Sequence, residues 1–177
     1  MPIRDFYGGS AKHLRCACLV VMFLTEEATV PVAFAAAAAR LDNLAGGRAL
    51  LSASQSAYAD ATTRLRRAGK VAGGGRLVQA EFGGVLLQQG SAVIAVRWEA
   101  PGPGGGQYPV LDADISVRPE GQDGTTLRLA GDYRPPPGST DSRAVRKVAT
   151  VSLRDFVGRV AELIAEQEPA AAASTDT

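Results

Sequence analysis

Apolar and polar residues alternate through the second half of this 177-residue chain. Between residues 108 and 118, one set of alternate positions is apolar: Leu111, Ala113, Ile115 and Val117. The other set is polar: Asp112, Asp114, Ser116 and Arg118. A period of two is typical of a strand with one buried and one solvated face. This criterion predicts hairpin-linked antiparallel strands at 76–82, 91–100, 108–118 and 125–134, with a short one near 85–88.

The first half of the chain predicts one strand followed by two helices. The apolar run 14–24 is rich in large and β-branched residues, which indicates a buried first strand. Pro31 suits the first turn of a helix, which we place at 32–44. A second short helix is predicted to begin with Ser52 or Ser54 as its cap and to end at residue 67.

The last predicted element is a long amphipathic helix from Asp141 to Glu168. Its buried stripe recurs at spacings of three and four residues: Val145, Val148, Ser152, Phe156, Val160, Leu163 and Ile164. We interpret residues 1–12 as a flexible arm and the Ala-, Ser- and Thr-rich residues 169–177 as a disordered tail. The remaining 13–168, in a chain that is 46% hydrophobic, is enough for one domain with a substantial core.

Three stretches, with this order of elements, resemble a known superfamily. They are Val96-Arg97-Trp98-Glu99-Ala100, Tyr108-Pro109-Val110-Leu111-Asp112-Ala113-Asp114-Ile115 and Gly131-Asp132-Tyr133-Arg134-Pro135-Pro136. The chain resembles the START-like (SRPBCC) superfamily, which includes polyketide cyclases and dehydrases, lipid-transfer domains and the birch pollen allergen family. Within it, the chain is similar to uncharacterised actinobacterial members. The resemblance implies an α+β helix-grip fold: a curved antiparallel sheet around a long C-terminal helix, with two short helices after the first strand.

The same resemblance implies a cavity between the sheet and the C-terminal helix. Six residues are expected to line it: Trp98, Tyr133, Phe82, Phe156, Val160 and Ile115. Four polar residues are candidates to orient a ligand there: Tyr58, Tyr108, Ser152 and Arg154. We expect a binder of an apolar small molecule, such as a lipid, polyketide or isoprenoid, without evident catalysis. Two alternatives stay open: a cyclase- or dehydrase-type enzyme that uses a cavity residue to shuttle a proton, and a protein-interaction module with a filled interior.

Charge and cysteine content narrow the expected partners. Nineteen Lys and Arg and eighteen Asp and Glu give a formal net charge of +1, which predicts no nucleic-acid partner. Cys16 and Cys18 are badly placed for a mutual disulfide, and with His13, the only histidine, they are too few for structural zinc. We therefore predict no cofactor, no metal and a cytoplasmic location. The apolar run 16–24 is followed by two glutamates and is well short of the ~20 residues of a membrane span.

Two remaining patterns receive structural interpretations. The glycine-rich stretches 73–75 and 102–106 match neither a Walker nor a Rossmann motif, so we predict turns there. The carboxylates Asp112 and Asp114 are assigned to the solvated outer face of the sheet, where cross-strand ion pairs form. The single histidine also disfavours a Ser-His-Asp or Cys-His hydrolase mechanism.

Overall fold

The helices pack on one face of a single antiparallel sheet in the computed structural model, which describes residues 21–67, 79–137 and 142–166. The elements are β1 (Met22–Val30), α1 (Phe34–Ala45), α2 (Arg48–Arg67), β2 (Gln79–Phe82), β3 (Leu86–Gln88), β4 (Ser91–Glu99), a 3-10 turn (Gly105–Gln107), β5 (Val110–Glu120), β6 (Gly124–Arg134) and α3 (Ser142–Glu166). The strand order is β1-β6-β5-β4-β2, and β3 also pairs with β4. The predicted helix-grip α+β fold is confirmed.

The strand registers place the inward side chains in rows across the sheet. One row crosses the sheet near the C-terminal end of β4. It consists of Trp98, Leu111, Tyr133 and Met22, all at most 4% exposed. Two rows further along lie Ile94, Ile115, Leu129 and Glu26. Each row is apolar across β4, β5 and β6, because alternate residues of these strands face the helices. The buried rows form the core between sheet and helices.

The first strand is longer at its C-terminal end than the sequence predicted. The expected end at Leu24 is wrong, because β1 continues to Val30 and pairs with β6 over its whole length. Two charged residues fit inside the strand. Glu27 faces outward, where its carboxylate lies 3.5 Å from Arg128, and Glu26 faces inward beside α3, where its carboxylate lies 3.2 Å from Arg154.

Both early helices differ in their starting points. The prediction that Pro31 lies in the first turn of α1 is wrong, since the helix begins at Phe34 with Ala33 at its N-cap. The prediction that Ser52 or Ser54 caps the second helix is also wrong. That helix begins at Arg48 and is 20 residues long, so both serines lie within it.

The length of α2 determines how the inner face of the sheet is covered. Helices α2 and α3 run antiparallel side by side, because Asp60 pairs with Arg159 at 3.2 Å and Arg64 pairs with Asp155 at 2.8 Å. Helix α3 packs on β1 and β6, while α2 packs on α3 and on β2. Helix α1 contacts β4, β5 and β6, so all three helices, rather than α3 alone, cover the sheet.

The edge strand opposite β1 is interrupted. Phe82 of β2 pairs with Val96, whereas Leu86 of β3 pairs with Val93, so three residues of one strand face two of β4. Such a bulge reverses which side chains face inward. Leu86 therefore faces outward and Leu87 faces the helix side, and at the open edge of the sheet the two are 59% and 76% exposed.

Several predictions concern residues outside the described ranges. These are the arm 1–12, the strand segment 14–20 with His13, Cys16 and Cys18, the glycine turn 73–75 and the tail 169–177. The glycine-rich stretch 102–106 is described and contains the predicted turn, which leads into a 3-10 helix that was not predicted. Within the described ranges, no helix is long and apolar enough to cross a membrane.

Candidate functional site

The structure brings five of the six predicted cavity residues into one buried layer. Trp98, Ile115 and Tyr133 point inward from β4, β5 and β6, and Phe156 and Val160 meet them from α3. All five are at most 3% exposed. The sixth residue, Phe82, lies half-buried on β2 and packs against the edge of the core. The predicted lining residues thus surround an interior that is closed by contact between side chains.

Aromatic rings fill one end of this layer. The Trp98 and Phe156 ring centroids are 4.9 Å apart with planes at 71°. On the other side, the Tyr58 centroid lies 6.4 Å from that of Trp98 with planes at 87°. Both arrangements are edge-to-face, which the charge distribution of aromatic rings favours. We call Tyr58, Trp98, Tyr133 and Phe156 the aromatic cluster.

Only one of the three polar side-chain atoms in the aromatic cluster has a hydrogen-bond partner among the described residues. Tyr58 Oη donates a hydrogen bond of 3.3 Å to the backbone oxygen of Pro109. Trp98 Nε1 and Tyr133 Oη, although buried, have no hydrogen-bond partner among the described residues, and the same holds for Ser54 Oγ on α2. A buried polar atom without a partner costs about 1–3 kcal/mol. The cluster therefore retains two side chains able to bond a further group.

Burial keeps the phenols of the cluster in their protonated form. Desolvation raises the pKa of Tyr133 well above its ordinary value, and the neighbouring Tyr58 adds to the rise. Desolvation likewise raises the pKa of Tyr58, with a smaller contribution from Tyr108. At neutral pH both phenols are hydrogen-bond donors or acids rather than bases.

The other predicted polar residues lie around the cluster or at the surface. Tyr108 is buried. Ser152 is buried and accepts a hydrogen bond of 3.3 Å from Arg64. Arg154 is 69% exposed and does not enter the interior.

Sequence reasoning missed Glu26, the only charged residue at an inward position of the described strands. Its side chain is 12% exposed and its Oε2 lies 3.2 Å from Arg154 Nε. The inward position of Glu26 could have been predicted from the alternating apolar residues Met22, Leu24, Ala28 and Val30, because this alternation continues the strand through residue 26. The inner layer thus contains one carboxylate, and that carboxylate has a cation as partner.

The outer face of the sheet is polar, as predicted. Arg97 lies 2.9 Å from Glu99 and 3.2 Å from Asp112, and Asp112 also pairs with Arg134. The hydrogen bond to Glu99, followed by the charge of Asp112, raises the pKa of Arg97. A shallow groove of about 600 Å³ lies on this face and includes Phe23, Asp114 and Asp132. Within the described ranges, no three side chains are grouped so as to hold a metal ion.

A second groove, which is mainly apolar, lies at the open edge of the sheet. It has a volume of about 460 Å³ and runs between α1 and β3. Phe34 and Ala38 contribute one wall, and Val85 and the exposed Leu87 contribute the other. This groove is separate from the aromatic cluster, because none of its lining residues belongs to that cluster.

Several solved structures have a similar arrangement of elements, and three of them illustrate the likeness. A hypothetical protein from Helicobacter pylori is 12% identical with a TM-score of 0.48, over 80% of this chain and 86% of that one. Ara h 8.0201 is 10% identical with a TM-score of 0.46, over 84% of this chain and all of the other. The Zhui aromatase/cyclase from Streptomyces sp. R1128 is 13% identical with a TM-score of 0.37, over 86% and 98%.

These likenesses concern the fold alone. The predicted resemblance to helix-grip proteins is confirmed at that level, and the actinobacterial source stays a prediction. No family model matches the chain. No curated protein matches it either. At such identities and TM-scores the neighbours carry no argument about a ligand or reaction, so function must be argued from the residues.

Proposed function

We propose that this chain binds an apolar small molecule between the sheet and the α2–α3 pair, against the aromatic cluster. The observation that carries the proposal is the pair of buried, unpartnered polar atoms, Trp98 Nε1 and Tyr133 Oη. An interior that served packing alone gains nothing from a buried hydrogen-bonding group without a partner. Apolar surroundings with a few polar groups are typical of small-molecule sites.

Entry of a ligand requires the inner layer to open, since Trp98 and Phe156 touch each other in this structure. The ion pairs between the two helices oppose this opening only weakly, so its cost lies in the apolar side chains that α2 buries, such as Leu50 and Leu65. The ion pairs Asp60–Arg159 and Arg64–Asp155 that join α2 to α3 involve side chains that are 36–49% exposed. Each such pair contributes only about 0–1 kcal/mol. We propose that α2 moves away from α3 and the sheet to admit the ligand.

The test is native mass spectrometry of the chain purified from the organism that encodes it, followed by extraction of any bound molecule. We expect an apolar ligand at substantial occupancy. Trp98→Leu removes a ring and a donor from the cluster and is expected to reduce that occupancy. Phe23→Ser is the matched control, because Phe23 is 62% exposed and lies on the opposite face of the sheet from the cluster. An unliganded mass, or equal occupancy in both variants, contradicts the proposal.

A second candidate is a protein-interaction module, which the exposed edge of the sheet favours. Leu86 and Leu87 are 59% and 76% exposed beside the apolar groove on α1. Exposed apolar residues at an open sheet edge are characteristic of protein docking. The same spectra separate the candidates. A bound protein whose binding is lost in Leu87→Ser, with no small molecule extracted, favours the interaction module.

A further inference from the structure

The unpartnered atoms of the aromatic cluster share one chemical property. An indole Nε1–H donates hydrogen bonds and has no capacity to accept them. A buried phenol that stays protonated likewise has its proton available. Trp98 and Tyr133 are 2% and 3% exposed, and no atom of the described residues bonds either polar group. Both groups without a partner at this end of the inner layer can therefore donate a hydrogen bond, and the phenol oxygen of Tyr133 can also accept one.

Charge in the same layer is scarce and already neutralised. Glu26 is the one charged residue at an inward strand position of the described ranges, and it is paired with Arg154. The register places Glu26 opposite Leu129, four residues along β6 from Tyr133. That separation is about 13 Å along a strand. At the inward strand positions of the described residues, the donors thus have neither an adjacent cation to hold a carboxylate nor an adjacent free carboxylate to hold an amine.

The ligand's chemistry follows from these two facts. We infer, on the basis of the proposed function, that the ligand of the aromatic cluster is a neutral carbonyl compound, a ketone, quinone or ester, whose oxygen accepts from Trp98 Nε1 or Tyr133 Oη. An apolar molecule without an acceptor leaves the donors unsatisfied. A carboxylate loses its hydration at this site without gaining a cation, and burial of an unpaired charge is strongly unfavourable.

Matched probes isolate the carbonyl group. The probes are 1-indanone with indane, and 9-fluorenone with fluorene, each pair differing only by the oxygen, together with fluorene-2-carboxylate. Calorimetric titration of the full chain gives the dissociation constants. One net hydrogen bond corresponds to about tenfold in affinity. We expect at least one ketone to bind about tenfold or more tightly than its hydrocarbon, and the carboxylate to bind weakest.

A spectroscopic reading locates the bound probe. The chain contains one tryptophan, so its ¹H–¹⁵N spectrum has one indole N–H signal, that of Trp98. A ketone that accepts from this group moves the indole proton downfield, and the hydrocarbon does not. Tyr133→Phe should lower the ratio of the ketone's affinity to that of the hydrocarbon.

The outcomes separate this inference from the proposed function. Ketone preference with a downfield indole signal supports both. Equal binding of ketone and hydrocarbon at the cluster, or preferred binding of the carboxylate, overturns the carbonyl inference and leaves the binding function standing. If no probe of either size binds and the indole signal stays fixed, the proposed function itself is contradicted, and the carbonyl inference with it.

Discussion

Removing the hydroxyl of Tyr133 tests whether the interior contains a true unsatisfied donor. In most proteins, deleting a buried polar atom destabilises the fold, because the atom has a partner. Here Tyr133 Oη is buried without one, and an unsatisfied buried polar group costs about 1–3 kcal/mol. Tyr133→Phe relieves that cost and leaves only a small void. We therefore expect the free energy of unfolding of the unliganded chain to rise by about 1 kcal/mol.

The matched control is Tyr58→Phe in the same cluster. Tyr58 Oη donates to the Pro109 oxygen at 3.3 Å, so this variant loses a buried hydrogen bond and leaves a carbonyl unsatisfied. We expect it to lower the free energy of unfolding by about 0.5–1.5 kcal/mol.

Urea denaturation at 25 °C, followed by far-ultraviolet circular dichroism, measures both variants. For a chain of this length a change of 1 kcal/mol also shifts the melting temperature by about 2–4 °C. A gain for Tyr133→Phe and a loss for Tyr58→Phe support the account. A loss of about 1 kcal/mol or more for Tyr133→Phe would refute it, since that result requires a partner for the hydroxyl.

Two further predictions concern pH and close packing. Folding raises the pKa values of Tyr58 and Tyr133, so the stability that their protonated forms contribute is complete below the unfolded pKa of about 10. It is lost as pH rises beyond that value, by up to about 1.4 kcal/mol per pH unit for each tyrosine. The free energy of unfolding, measured by denaturation between pH 8 and 11.5, should fall with a slope that Tyr133→Phe halves. Gly131→Ala places a methyl group against the Ala113 backbone and should lower the free energy of unfolding by about 1–3 kcal/mol. Gly84→Ala has open space around the new methyl group and should leave the free energy of unfolding unchanged or raise it by up to about 1 kcal/mol. Equal shifts of the melting temperature in the two variants would contradict this prediction.

The strands that the sequence predicted best are those with one buried and one solvated face. In β6, Leu127, Leu129 and Tyr133 are buried while Asp132 is exposed, and the predicted strand 125–134 differs from the observed one by a single residue. Alternation reveals such a strand because burial of one face is enforced along its whole length. Similar alternation located β4 and the outward position of Asp112.

Helix α2 was predicted too short because much of the buried face in its first half is made of small or polar residues. Ala53, Ser54 and Ala57 are buried there, and the larger buried residues Tyr58 and Leu65 follow only in the second half. Small side chains do not mark a hydrophobic stripe. The start of this helix was therefore placed at its serines instead of at Arg48.

The arrangement within the site depends on contacts between distant parts of the chain. The sequence identified Trp98 and Phe156 as inner-layer residues. Their edge-to-face contact, however, depends on the position at which α3 packs on the sheet. The burial of Glu26 similarly depends on Arg154, which lies 128 positions away. Local patterns contain no information on such pairings, and the unpartnered state of Trp98 Nε1 is visible only in three dimensions.

The most direct test of the binding site is a crystal structure of the chain as purified from the organism that encodes it. The account predicts electron density for a small molecule between the sheet and the α2–α3 pair, with an acceptor atom within hydrogen-bond distance of Trp98 Nε1 or Tyr133 Oη. Density confined to the outer groove near Phe23 or to the groove beside Leu87, with Trp98 and Phe156 still in contact, would contradict it.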